Sequence, residues 1–93
     1  MRRDDVEWDP RKAESNLLKH GVEFEEAVPA LEDELAVTID DLHLVGEERY
    51  VTVGMAANGK LLVVVHTPRN GRLRIISARR ATRSERRAYE EEP

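Results

Sequence analysis

Apolar residues recur at two different spacings along the chain, and the change divides it. Phe24, Ala27, Val28 and Leu31 stand at helical spacing, which predicts a helix from Phe24 to about Leu31 that contains Pro29, a residue without an amide proton to donate. Ahead of it, Asp9 is a capping residue and Pro10 suits the first helical position, with Trp8 and Ala13 able to staple across the cap. That first helix is expected to run to about His20, where Gly21 supplies a left-handed C-cap and Lys19 and His20 complement the helix dipole. Leu35 to Ile39 favours a strand, and the acidic segment Asp40 to Glu48 reads as a loop.

Beyond it the pattern becomes strand-like. Arg49 to Met55, Lys60 to Thr67 and Arg72 to Arg79 are joined by Asn58-Gly59 and Asn70-Gly71, the pairs that favour two-residue hairpin turns with positive φ at both positions. They predict an antiparallel meander. The unbroken Val63-Val64-Val65 implies that the middle strand is covered on both faces, by helices on one side and by the tail helix or a partner on the other. Thr82-Arg83-Ser84-Glu85 has the capping-box pattern, so a last helix should begin at Arg83 and end near Glu91. The expected class is α+β: two N-terminal helices, an antiparallel sheet of three to four strands and a C-terminal helix. Ninety-three residues suit one domain with one modest core.

Charge changes the picture. Residues 1–48 hold 15 acidic and 5 basic side chains, whereas residues 49–93 hold 4 acidic and 10 basic, so a net charge of −4 conceals a strong dipole. Eight arginines and no lysine lie between Arg69 and Arg87. The guanidinium fork suits bidentate contacts to phosphate or carboxylate, which solvation alone does not require. Strict alternation along the last strand places Arg72, Arg74, Ile76, Ala78 and Arg80 on one side, and Leu73, Ile75, Ser77 and Arg79 on the other. Arg79 would then share a face with apolar residues, either paired in a partly buried site or open to a cleft.

Other chemistry is sparse. Cysteine is absent, and His20, His43 and His66 are more than twenty residues apart with no ligand-like pairing, so neither a thiolate site nor a metal site is expected. The longest apolar run, Leu61 to Val65, is too short to cross a bilayer, and residues 1–5 lack the apolar stretch of a signal peptide; a soluble cytoplasmic protein is expected.

The blocks Trp8-Asp9-Pro10, Lys12, Asn16, Lys19-His20-Gly21-Val22, Phe24-Glu25-Glu26-Ala27, Glu48-Arg49-Tyr50, Gly54, Val65-His66-Thr67 and the run from Arg74 to Thr82 together resemble the BrnT toxin family, in an order that covers roughly Val6 to Tyr89. The resemblance implies a RelE-like ribonuclease fold and the toxin half of a type II toxin–antitoxin pair, acting on RNA without a metal or other cofactor. It also implies a BrnA-type antitoxin of the ribbon-helix-helix class, in an assembly of two toxins and two antitoxins, with DNA contacted only through the antitoxin. The substrate would be RNA, free or on the ribosome. Pro29 and the heavy acidic charge depart from the family pattern.

Metal-free RNA cleavage needs a base for the 2′-hydroxyl, a donor for the leaving 5′-oxygen and cations for the phosphoryl oxygens. Arg79 is the first candidate cation, then Arg80 and Arg49, each alternatively paired with an acidic residue of the first half. His66 is a candidate acid or base, or else a histidine bonding a backbone group at the sheet edge. Lys19, His20, Glu48, Arg74 and Tyr89 are candidate substrate contacts. The dipole explains Lys19 and His20 equally well, a salt bridge explains Glu48 with Arg49, and packing on the sheet explains Tyr89. A different class of function, an inactive binding module or co-repressor acting through a ribbon-helix-helix partner, is suggested by the acidic half.

Overall fold

The computed structural model of the chain describes residues 5–40 and 48–91. Its elements, in order, are β1 (Val6–Trp8), α1 (Pro10–His20), α2 (Phe24–Glu32), β2 (Val37–Asp40), β3 (Tyr50–Met55), β4 (Leu61–Arg69), β5 (Arg72–Arg80) and α3 (Arg83–Glu91). The expected α+β class holds, but the sheet is five-stranded and mixed, in the order β1-β5-β4-β3-β2. The unexpected member is β1, which pairs parallel with Leu73–Ile75 of β5. The acidic stretch between Asp40 and Glu48, His43 included, lies largely outside the described residues.

Local chemistry sets the helix ends. The Asp9 carboxylate accepts the Arg11 amide at 2.9 Å, and Gly21, at φ 69°, donates its amide to the Leu17 carbonyl at 2.8 Å. In α2 the Glu23 amide donates to the Glu26 carboxylate at 2.9 Å. Pro29 does not end this helix, which continues to Glu32. The lost amide bond is outweighed by the burial of Phe24, Ala27 and Ala30 against the sheet. That packing is close: a Cβ on Gly54 would meet the Ala30 carbonyl oxygen at 2.1 Å, so β3 needs glycine where α2 crosses it.

The two hairpins differ. Asn70 (φ 53°) and Gly71 (φ 77°) form the expected turn with positive φ at both positions. At the other, only Gly59 has positive φ, and the Ala56 amide donates to the Lys60 carbonyl across a longer loop. Asn58 instead accepts the Lys60 amide and donates to Glu26 of α2, so this hairpin is built around a helix contact.

One irregularity changes the faces of β5. Val65 pairs with Ser77 but His66 pairs with Ile75, so Ile76 is an extra residue, a β-bulge. The extra residue reverses the alternation after it, and Ile75 and Ala78, three apart, both join the core with Phe24, Leu62 and Val64. Arg79, opposite Val63, therefore does not share a face with Ile75. It lies on the side covered by α3.

Two side chains anchor the helices to this sheet. On one face, the buried Asn16 donates to the Ala78 carbonyl at 2.7 Å and the Val22 carbonyl at 2.9 Å, and accepts the Ala78 amide at 3.1 Å. On the other, Arg79 forms a two-pronged pair with Glu85, both contacts 2.8 Å. Glu85 also accepts the Thr82 amide at 2.8 Å, and its own amide donates to the Thr82 hydroxyl at 3.2 Å, which closes the expected capping box. The far end of α3 is held by the Tyr89 hydroxyl, which donates to Asp33 at 2.6 Å. No residue of α3 is buried. The helix is latched at its two ends over an apolar cavity of about 350 Å³ lined by Val37, Ile39, Val51, Val53 and Ala88 with Glu85 and Tyr89.

Asn16→Leu should leave the Ala78 amide and the Val22 and Ala78 carbonyls without these partners; a loss of about 3 kcal/mol in urea-induced unfolding is expected. The hydrogen bonds from Arg79 and Thr82 hold the Glu85 carboxyl at about 2 against an ordinary 4.5. The latch thus contributes fully above pH 4.5 and is lost as the pH falls toward 2, with a modest effect because the pair is partly exposed. Amide exchange should show α3 opening in that window before the sheet does, and Glu85→Gln should remove the part of the pH dependence that Glu85 carries, leaving the part carried by Asp33, whose carboxyl is likewise held low.

Candidate functional site

Sheet register decides which candidate residues can act together. His66 is opposite Ile75 on the face packed by α1 and α2, whereas Arg79 is on the α3 face, so the strand layer separates them. Arg79 is also occupied by Glu85, which raises its already high pKa, and the partner comes from the second half of the chain rather than the acidic first half. Arg74 is likewise engaged: it donates to Glu7, its neighbour across the parallel β1–β5 pair, at 2.7 Å. Tyr89 is held by Asp33, and its hydroxyl is pushed up to about 12 by that hydrogen bond.

The remaining candidates are dispersed. Arg80 is exposed at the end of β5, opposite Leu62. Arg49 is half-buried just before β3. Glu48 accepts a hydrogen bond from the Tyr50 hydroxyl at 3.1 Å, and its carbonyl accepts the Thr67 hydroxyl. His66 is buried, which pushes its pKa down, and its Nε2 is 2.8 Å from the Thr52 hydroxyl, itself 2.7 Å from that of Thr38. A side chain, not a backbone group, is thus its partner. Its ring stacks on Tyr50 at 6.0 Å between centroids and 26° between planes.

Lys19 and His20 do come together with other groups. With Lys12, Ser15 and Asn16 of α1 and Ile76 and Ser77 of β5, they line a cleft of about 220 Å³. Lys12, Ser15 or Asn16, and Lys19 are spaced so that one helical face presents them. Asn16 holds that face against β5 beside the bulge. Among the described residues, no carboxylate pairs with Lys12, Lys19 or His20, in contrast to Arg74 and Arg79. Sequence reasoning gave Lys12 and Asn16 no role, although the seven-residue interval from Lys12 to Lys19 already places both cations on one stripe. The buried Asn16 carried no such signal, because a polar residue on a helix ordinarily reads as solvent-facing.

Among the described residues no group of three or more His, Asp or Glu side chains is placed to hold a metal, and no helix is long and apolar enough to cross a membrane.

The chain matches the family model of the ribonuclease toxin BrnT of type II toxin–antitoxin systems over residues 8–85. No curated protein sequence matches it. Among solved structures it is similar to the Brucella abortus ribonuclease toxin BrnT, with a TM-score of 0.62 and 22% identity over 84% of this chain and 96% of that one. That likeness concerns the fold, and the family match spans Trp8 to Glu85, which includes the Arg79–Glu85 pair and the α1–β5 cleft but not the Tyr89 end of α3. The chain therefore belongs to the BrnT family of ribonuclease toxins of type II toxin–antitoxin systems.

Proposed function

We propose that the chain is a metal-independent endoribonuclease that cuts RNA at the α1–β5 cleft, and that a BrnA-type ribbon-helix-helix antitoxin neutralises it in a complex of two toxins and two antitoxins in the cytoplasm. The observation that carries the site is the gathering of Lys12, Lys19 and His20 around one cleft with no carboxylate partner among the described residues. Cations already neutralised within the fold, such as Arg79 and Arg74, are poor competitors for a phosphate.

In this reading the 2′-oxygen of the substrate attacks the adjacent phosphorus. A bond forms from O2′ to P while the bond from P to O5′ breaks, leaving a 2′,3′-cyclic phosphate and a free 5′-hydroxyl. The 2′-hydroxyl proton must leave and the 5′-oxygen must gain one. Imidazole is the side chain suited to either transfer, and His20 is the histidine that lines the cleft. Lys12 and Lys19 stabilise the charge that accumulates on the phosphoryl oxygens. Arg80, exposed two residues beyond the Ala78 that Asn16 holds, adds a cation to the same strand end. Arg79 serves the α3 latch, and its substitution should weaken the fold rather than the chemistry.

Production of the chain without antitoxin is expected to arrest bacterial growth, and purified protein should cleave single-stranded RNA with EDTA present. Retained cleavage in EDTA tests metal independence by itself. Lys19→Ala and His20→Ala should each slow cleavage by roughly 100-fold or more while the unfolding midpoint stays within experimental error. Full activity in both variants would move the chemistry away from this cleft. No cleavage and no arrest by the wild type would leave the alternative of an inactive binding module.

A further inference from the structure

Strand β2 ends the sheet at the edge opposite β1, and among the described residues no further strand meets its outer side. We propose that this edge, with the apolar cavity beside it, docks a partner protein through an extended basic segment that adds a strand to β2 and seats alternate apolar side chains beneath α3. The inference rests on the toxin–antitoxin reading only for the partner's identity, which under that reading is the antitoxin.

The ladder leaves bonding groups on this edge. The Ala56 amide donates to the Lys60 carbonyl at 2.8 Å, so every second residue of β3 counted back from Ala56 bonds β4, and Val51 and Val53 bond β2. Their partners are Ile39 and Val37, which leaves the amide and carbonyl of Thr38 turned outward. An added strand would satisfy them as β3 satisfies their neighbours.

Apolar side chains are uncovered at the same place. Leu35 is 70% exposed and Ile39 61%. Ile39 also lines, with Val37, Val51 and Val53, the cavity of about 350 Å³ under α3, so cavity and edge are continuous. Only Ala88 and Tyr89 of α3 offer apolar surface to that space, and the helix spans it without filling it. Every second side chain of an added strand would point into the gap.

Charge selects the partner. Between Lys19 and Arg49 the sequence holds ten acidic side chains and no lysine or arginine. Glu34 precedes β2 and Asp40 ends it; both are exposed, and among the described residues neither has a basic partner. Asp40 stands opposite Tyr50, whose hydroxyl donates to Glu48, so two carboxylates meet on the Thr38 face at that end. The residues of an added strand that do not enter the cavity would lie on this face, where lysine or arginine meets opposite charge. A second copy of the chain on this edge would instead set Glu34 and Asp40 against carboxylates, and RNA would meet the same repulsion. The cations of α3 do not offset this: Arg86 is 3.7 Å from Glu90, and Arg83 and Arg87 lie on the side of the helix away from Glu85 and Tyr89.

The test is an NMR titration of the full chain with a peptide in which lysine alternates with leucine or valine. Binding is expected to shift the Ile39 and Ala88 amides and to slow exchange of the Thr38 amide, while the α1–β5 cleft stays unmoved. The same peptide with glutamate for lysine should not bind. Of two forms N-methylated at alternate residues, one should lose binding and the other keep it, because only one set of amides faces Thr38. Ile39→Lys should weaken binding by roughly tenfold or more, and Asp40→Lys, at an exposed strand end, gives a second reading should Ile39→Lys disturb the fold. Under the antitoxin reading, Ile39→Lys keeps its growth arrest, and co-produced antitoxin no longer relieves it. Equal binding of the glutamate peptide, unchanged affinity in both variants, or survival of binding in both methylated forms overturns the proposal. So does RNA that shifts Thr38 and Ile39, or self-association in sedimentation that Ile39→Lys abolishes, which would assign the edge to a second copy. Peptide binding in a chain that cleaves no RNA leaves the docking surface standing and removes only the nuclease reading; cleavage without peptide binding removes the surface alone.

Discussion

The contact between Asn16 and Ala78 organises the molecule. Strand β5 has a full partner in β4 on one side, but on the other β1 covers only Leu73 to Ile75. The edge beyond would expose backbone groups that another chain could pair with. Asn16 fills that place with an amide that both donates to and accepts from Ala78, as a strand residue would, and a further bond to Val22 fixes the turn into α2. A single buried side chain thereby sets the position of α1 against the sheet and, through Val22, the start of the α2 packing that buries Phe24 and Ala27. The bulge at Ile76 lies between the segment held by β1 and the residue held by Asn16. A strand clamped at both ends with one extra residue between them leaves that residue displaced, and the cleft lined by Lys12, Lys19 and His20 forms there.

Arginine has two distinct uses in this chain. Arg79 and Arg74 employ the fork for carboxylates of the fold itself, one fastening α3 and the other tying β1 to β5. Their geometry suits that purpose as well as it would suit a phosphate, which is why an arginine-rich run without lysine does not by itself mark a binding site. The discriminating property is the partner. Once the internally paired guanidinium groups are set aside, the cations without carboxylate partners among the described residues fall at the start of α1, the α1–β5 cleft, the hairpin tip, and the exposed ends of β5 and α3. The cluster in the sequence thus separates in space into mechanical and available charge.

Much of the fold could be read directly from local chemistry. Asp9-Pro10, Gly21, the Thr82–Glu85 box and Asn70-Gly71 each occupy the place their chemistry requires, because caps and tight turns are decided by a few adjacent residues. The failures have a common cause in contacts between distant segments. Three residues of β1 are too few for a period, and they become a strand only because β5 is there to receive them. Asn58-Gly59 has the composition of a tight hairpin, yet Glu26 draws Asn58 into a helix contact. The bulge is invisible to alternation, and one residue was enough to turn Arg79 away from the apolar neighbours assigned to it. For the site, Lys19 and His20 were visible at a helix end, while their association with Lys12 depended on where Asn16 would anchor α1.

Net charge bears on how such a molecule would approach RNA from afar and much less on the contacts it would make at close range. Fields from exposed charges decay over about 8 Å at physiological ionic strength, less than a third of the molecule's 27 Å shortest extent. The acidic residues of α2 therefore weaken the approach of a polyanion from afar without cancelling contacts made at the α1–β5 cleft. Glu26 is not available to oppose RNA in any case, since it is engaged by Lys60, Asn58 and the Glu23 amide. Long-range steering is poor in a chain with a charge of −4, so under the proposed function capture has to come from short contacts to phosphate at the α1–β5 cleft. An RNA presented by a larger assembly would make up for the slow encounter, because its local concentration no longer depends on attraction by the toxin.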